Sequence, residues 1–139
     1  MEELQQIATR VAQREQGLPI GPWTLEVYPT LRCNLSCSFC DTTDRHRPAV
    51  GEKNVAWWVS LVEQAAALGA KRLMVLGGGE PLIAPATLPL MARASALGLR
   101  GMLTTNGTLL SETTIRAIVE MKWEEVHISI DGACAETHD

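Results

Sequence analysis

The alternation of short strand-like runs with helical ones constrains this chain more than any other feature. Residues 24–28, 72–76, 102–105 and 126–130 read as strands, and a helical segment separates each from the next. Asn54 is placed to cap a helix that runs to about Leu68 and stops at Gly69. A second helix covers about 86–97 with Gly98 behind it, and Ser111 is placed to cap a third that ends near Lys122. Repeated strand–helix–strand units give a parallel sheet. The apolar run at 72–76 is expected to be a strand buried on both faces. An open doubly wound sheet and a TIM-like barrel or part-barrel both fit, and both collect functional loops at the carboxyl ends of their strands.

The unusual residues collect there. Cys33, Cys37 and Cys40 follow the first strand, and Gly77-Gly78-Gly79-Glu80-Pro81 follows the second. Thr105-Asn106-Gly107 follows the third, and Asp131-Gly132 the fourth. Ahead of them, residues 2–16 read as an amphipathic helix with Leu4, Ile7, Ala8 and Val11 on one face. Residues 133–139 look like the start of another helix. A parallel part-barrel of four strands leaves open edges. The expectation is therefore a piece of a longer protein, with the C-terminal remainder of that protein as a partner.

Composition narrows the chemistry. A chain of 139 residues with 46% hydrophobic content can bury a core without disulfides or metals. The formal net charge of −4 and pI near 5.4 argue against a nucleic-acid backbone or an anionic membrane surface as partner. Residues 1–17 have neither the basic head nor the apolar core of a secretory signal. No stretch approaches the roughly 18 consecutive apolar residues of a membrane span. A cytoplasmic location is expected.

Three of the four cysteines fall within eight residues, Cys33-Asn34-Leu35-Ser36-Cys37-Ser38-Phe39-Cys40. Disulfide frameworks spread cysteines along small secreted chains, whereas a tight cluster more often binds metal. Thiolates are the usual ligands of iron–sulfur clusters. Three of them on one loop can ligate three irons of a cubane and leave the fourth open, as chemistry at a metal requires. Zinc, with Asp41 or His46 as fourth ligand, is the plainer alternative, although the paired knuckles of structural zinc sites are missing. Inert thiols are the third reading. Cys134 is not spaced to join the cluster and reads as a free thiol.

Cys-x-x-x-Cys-x-x-Cys after a first strand, with Phe39 just before the last cysteine, resembles the signature of the radical S-adenosylmethionine (SAM) superfamily. The other three loops match that family in the right order, from about Thr24 to the end of the chain. The resemblance implies an α/β fold, the first part of a TIM-like partial (β/α)6 barrel truncated after about four strands. Residues 1–17 would then be an N-terminal helix and 18–139 the first part of the core domain. It further implies a 4Fe-4S cluster on Cys33, Cys37 and Cys40, whose open iron is chelated by the amino and carboxylate groups of the SAM methionine. Phe39 would lie near the adenine. Gly78, Gly79 and Glu80 would meet the methionine ammonium with their backbone, and Thr105 or Asn106 would face SAM or substrate. Ser129 matches a position that hydrogen-bonds SAM, and Asp131 shares its face. The implied activity is reductive cleavage of SAM to a 5′-deoxyadenosyl radical, which takes hydrogen from a peptide or small-molecule substrate. A reductant such as flavodoxin or ferredoxin is the implied electron donor. The 139 residues alone need not turn over a substrate.

Each loop also has a plainer reading. The glycine triplet lacks the ending of a phosphate loop and does not fit the dinucleotide fingerprint. Its glycines can simply allow positive φ or close backbone approach in a tight turn. Thr105-Asn106-Gly107 can be only a strand end and a turn, and Asp131 can bond backbone amides at a helix start. His127 is expected to be a buried, satisfied histidine, and His46, between Arg45 and Arg47, a solvated one. Trp58, rather than Trp57, fits an apolar helix face with Val55 and Val62.

Overall fold

The structure, a computed structural model, describes residues 1–40, 51–134 and 137. Helix α1 (Glu2–Glu15) precedes strand β1 (Thr24–Val27). Then come α2 (Val55–Ala67), β2 (Arg72–Val75), a 3-10 turn (Pro81–Ile83), α3 (Thr87–Ala96), β3 (Arg100–Thr105), α4 (Glu112–Glu120) and β4 (Glu125–Ile128). The caps form as the sequence predicts: Trp57 N donates to Asn54 Oδ1 (2.9 Å) and Thr114 N to Ser111 Oγ (3.1 Å). The helix expected from residue 133 onward falls largely outside the described residues.

All strand pairs are parallel, in the order β1-β2-β3-β4. That order separates the two candidate architectures. A doubly wound sheet reverses its winding at a switch point, whereas unreversed sequential order is the winding of a barrel wall. Crossovers of one hand then bring the helices onto a single face.

Register and side-chain alternation sort the two faces. Leu25, Val27, Leu73, Val75 and Leu103 share the helix side. They pack with Val62 and Ala65 of α2, Leu90, Met91 and Ala94 of α3, and Ile118 of α4. Trp58 joins this core with Val62, while Trp57 stays exposed and Val55, expected on the same face, is exposed at the first turn of α2. The inner face carries Glu26, Met74, Met102, Thr104, Glu125 and His127.

Two expectations fail on this geometry. Strand β2 is buried on one side only: Leu73 and Val75 are fully covered, while Arg72 and Met74 are half-exposed on the open inner face. His127 is exposed, not buried, because alternation turns it to that same face, where its Nε2 lies 3.1 Å from a Glu125 carboxylate oxygen. The apolar residues of α1 also stand exposed. That helix is held instead by Arg10, which donates to Gly21 O and lies 5.4 Å from the Trp23 ring centroid, and by the Glu3–Arg100 ion pair.

Gly101 lies in the helix-side row, where a Cβ would stand 2.4 Å from the Trp123 ring. Trp123 is itself buried and cannot retreat into solvent. Gly101→Ala is expected to destabilise the domain by about 1–3 kcal/mol through overpacking. Urea unfolding followed by tryptophan fluorescence checks this, and an unchanged midpoint would contradict the packing described.

Candidate functional site

The strands end at a common rim. Leu76 N donates to Val27 O and Ser129 N to Thr105 O, each at 2.9 Å, so neighbouring strand ends stay in step. The loops that leave this rim carry the residues singled out by sequence.

The first loop holds the three cysteines. Cys33, Cys37 and Cys40 are half-buried and Cys134 is exposed, and none of the four is in a disulfide. A clamp fastens the loop at its base. Buried Thr30 donates its hydroxyl to Glu52 and accepts from Arg32 N at 3.0 Å. The Arg32 guanidinium grips the same carboxylate with two bonds, Nε to Oε1 at 3.0 Å and Nη2 to Oε2 at 3.1 Å. Hydrogen bonding to Arg32 holds the Glu52 carboxyl below its ordinary pKa, and the same bond raises that of Arg32. Residues 41–50, including Asp41 and His46, lie outside the described residues.

The second loop is locked to the first and third by Glu80. This residue is 1% exposed. Its Oε1 accepts from Leu82 N (3.0 Å) and Thr105 Oγ1 (2.8 Å), and its Oε2 accepts from Asn106 N (2.8 Å). Its own backbone N–H donates to Arg32 O at 2.8 Å. At that crossing a Cβ on Gly79 would stand 2.0 Å from Arg32 O, so no side chain fits there. None of the three glycines takes a positive φ. Close approach accounts for all three: a Cβ would meet Gly79 O at Gly77, the Leu31 side chain at Gly78 and Arg32 O at Gly79.

The third loop turns at Gly107, whose φ of +79° favours glycine. Thr105 is buried, and its hydroxyl donates to Glu80 and accepts from Gly107 N at 3.1 Å. Of the two residues expected to face a ligand, Thr105 therefore points into the protein and Asn106 out of it. The Asn106 Nδ2 group donates to Asn34 Oδ1 at 2.9 Å and reaches Cys33 Sγ at 3.9 Å. Its Oδ1 accepts from Thr108 N (3.0 Å) and Thr108 Oγ1 (2.7 Å), while Asn34 Nδ2 donates to Thr108 Oγ1 (2.8 Å). Ser129 and Asp131 are exposed beyond β4, and alternation with Ile128 puts Ser129 on the inner face. Phe39 is 61% exposed. Gly78 lies beside Leu31 and Tyr28.

Among the described residues no three His, Cys, Asp or Glu side chains are grouped to hold a single ion, and Asp41 and His46 lie outside those residues. A cubane takes each thiolate on a different iron, so its ligands stand farther apart. Three thiols on one short loop suit such a group. So do the N–H donors at Cys33 Sγ, from Leu35 N at 3.4 Å and from Asn106. Sequence reasoning missed Thr30, Arg32, Asn34, Glu52 and Thr108. Glu52 carries no local signal because its partners lie 20 and 22 residues upstream.

Replacing Glu80 by Gln exchanges one acceptor oxygen for a donor facing donors. A loss of about 1–3 kcal/mol in unfolding free energy is expected, and wild-type stability would contradict the three-donor lock. At the clamp, a depressed Glu52 pKa adds stability above the unfolded glutamate value of about 4.3. That stability is lost as pH falls through the lower folded value. Both partners are partly exposed, so Glu52→Gln should cost about 1 kcal/mol near neutrality. The difference from wild type should shrink in acid; a pH-independent difference would count against the ion pair.

Comparison with known proteins agrees with this site. The family model described as the radical SAM superfamily matches residues 27–139. An AdoMet-dependent heme synthase of Methanosarcina barkeri is 34% identical over 110 residues, 79% of this chain and 31% of that protein. A PqqA peptide cyclase of Gluconobacter oxydans is 33% identical over 112 residues, 81% of this chain and 31% of that one. The crystal structure of Streptococcus suis SuiB bound to its precursor peptide SuiA superposes with a TM-score of 0.76 at 25% identity, covering 99% of this chain and 31% of SuiB. SuiB has also been solved bound to S-adenosylmethionine. This chain thus spans about a third of the length of each of these proteins. The family match begins at the last residue of β1 and takes in all four rim loops, and the chain belongs to the radical SAM superfamily.

Proposed function

We propose that this chain is the first part of an enzyme that cleaves SAM reductively, with Cys33, Cys37 and Cys40 as thiolate ligands of a 4Fe-4S cluster. One observation carries the reading: the cysteine loop of β1 is tied by Glu80 and Asn106 to the next two rim loops, so that three of the four family motifs form one surface. The chemistry that the bound pair supplies is electron transfer to the sulfonium, giving methionine and a 5′-deoxyadenosyl radical for hydrogen abstraction.

The protein's own groups position and orient. Three thiolates leave one iron without a side-chain ligand, available to the methionine amino and carboxylate groups. Backbone carbonyls at Gly78, Gly79 and Glu80 suit the methionine ammonium, which needs acceptors. The Glu80 carboxylate already holds three donors, so its part is to fix that backbone. Thr105 acts through Glu80 and Gly107 in the same way. Phe39 is exposed, and its apolar ring suits the adenine. Ser129 and Asp131 supply polar groups on the β4 side of the rim.

The relatives named for heme synthesis and peptide cyclisation, and SuiB with its precursor peptide, support a peptide or small molecule as substrate. A flavodoxin- or ferredoxin-type protein serves as electron donor. No helix among the described residues is long and apolar enough to cross a membrane, and we place the protein in the cytoplasm.

Anaerobic reconstitution of the full-length protein that contains this chain, with iron and sulfide, tests the assignment. Wild type should take up a brown four-iron cluster and, with reductant and SAM, yield 5′-deoxyadenosine. Alanine at Cys33, Cys37 or Cys40 should abolish stable cluster, whereas Cys134→Ala should keep full iron content. Tightly held zinc in place of iron and sulfide would overturn the proposal, and iron loss in Cys134→Ala would overturn the ligand set.

A further inference from the structure

We infer that Asn106 tunes the cluster through the Cys33 sulfur, and that Glu80 is the residue that aims it. The inference rests on the assignment of Cys33 as a cluster ligand. Both ends of Asn106 are fixed. Its peptide N–H is held by Glu80 Oε2 at 2.8 Å, and that carboxylate is itself immobilised by burial and by its bonds from Leu82 N and Thr105 Oγ1. Its side-chain oxygen is taken by Thr108 N and Thr108 Oγ1. The amide can then be oriented only one way, with its NH2 group turned toward the cysteine loop. One hydrogen serves Asn34 Oδ1 at 2.9 Å, and the other is left for Cys33 Sγ, 3.9 Å away.

Cys33 Sγ also receives Leu35 N at 3.4 Å, a bond internal to the cysteine loop. The Asn106 contact differs because it comes from another strand's loop, across 73 residues of sequence. A ligand sulfur carries more negative charge once its cluster has taken an electron. A donor at that sulfur therefore favours the reduced form and raises the potential. Asn106 is a positioning residue in this sense: it touches the ligand, not the reacting atoms.

The side chain has two separable jobs. The turn at Gly107 uses only its oxygen, which aspartate also supplies. The sulfur contact and the bond to Asn34 Oδ1 use its NH2, which aspartate lacks. Potentiometric titration of the reconstituted full-length protein without SAM, followed by electron paramagnetic resonance, reads the second job alone. Asn106→Ala should keep wild-type iron and sulfide content and lower the one-electron reduction equilibrium constant several-fold, toward tenfold, a shift of up to about 59 mV. Asn106→Asp should keep the turn and lower the potential further, because it adds negative charge. Cys134→Ala should not shift it at all. Wild-type potentials in both Asn106 variants, with full clusters, would overturn this inference and leave the cysteine assignment standing. A wild-type chain that assembles no cluster would overturn both.

Discussion

Glu80 buries a carboxylate where three rim loops meet, and such burial is tolerated only because three donors converge on it. An unpaired charge in that position would cost several kcal/mol. The condition works in reverse as a constraint on geometry. Thr105, Asn106 and Leu82 must all sit where the carboxylate can be satisfied, and the Glu80 N–H ties the cysteine loop to the same point through Arg32 O. One buried group thus sets the spacing of segments that are far apart in sequence.

The sheet makes this arrangement possible. Sequential parallel order puts every strand-to-helix loop on one edge, and packing against α2, α3 and α4 fixes the strands from the helix side. The inner face is left to polar and half-exposed residues: Glu26, Met74, Thr104, Glu125 and His127. Rigidity on one side and openness on the other are what a site built from rim loops requires.

Much of this was readable from the residues. Strand–helix alternation, the Asn54 and Ser111 caps and the apolar face of Trp58 and Val62 are local signals, and local geometry obeyed them. The four rim motifs were found by type and order. What escaped were contacts across sequence: the Thr30–Arg32–Glu52 clamp and the Asn34–Asn106–Thr108 net are unremarkable in composition and gain meaning only when folding brings them together. The misreadings share a cause. Strand β2 and His127 were expected to be buried because apolar runs and strand histidines usually are, but one face of this sheet is open. The glycine triplet was given two reasons, and only close approach applies.

The proposed chemistry requires an iron that no side chain of this protein ligates, presented beside backbone suited to the methionine of SAM. Electron paramagnetic resonance of the reduced, reconstituted full-length protein, recorded with and without SAM, addresses that iron directly. A change in the cluster's g-values on adding SAM is the predicted result, because the nucleotide occupies the open coordination position. Identical spectra at saturating SAM would mean that the position is closed, and would contradict the account.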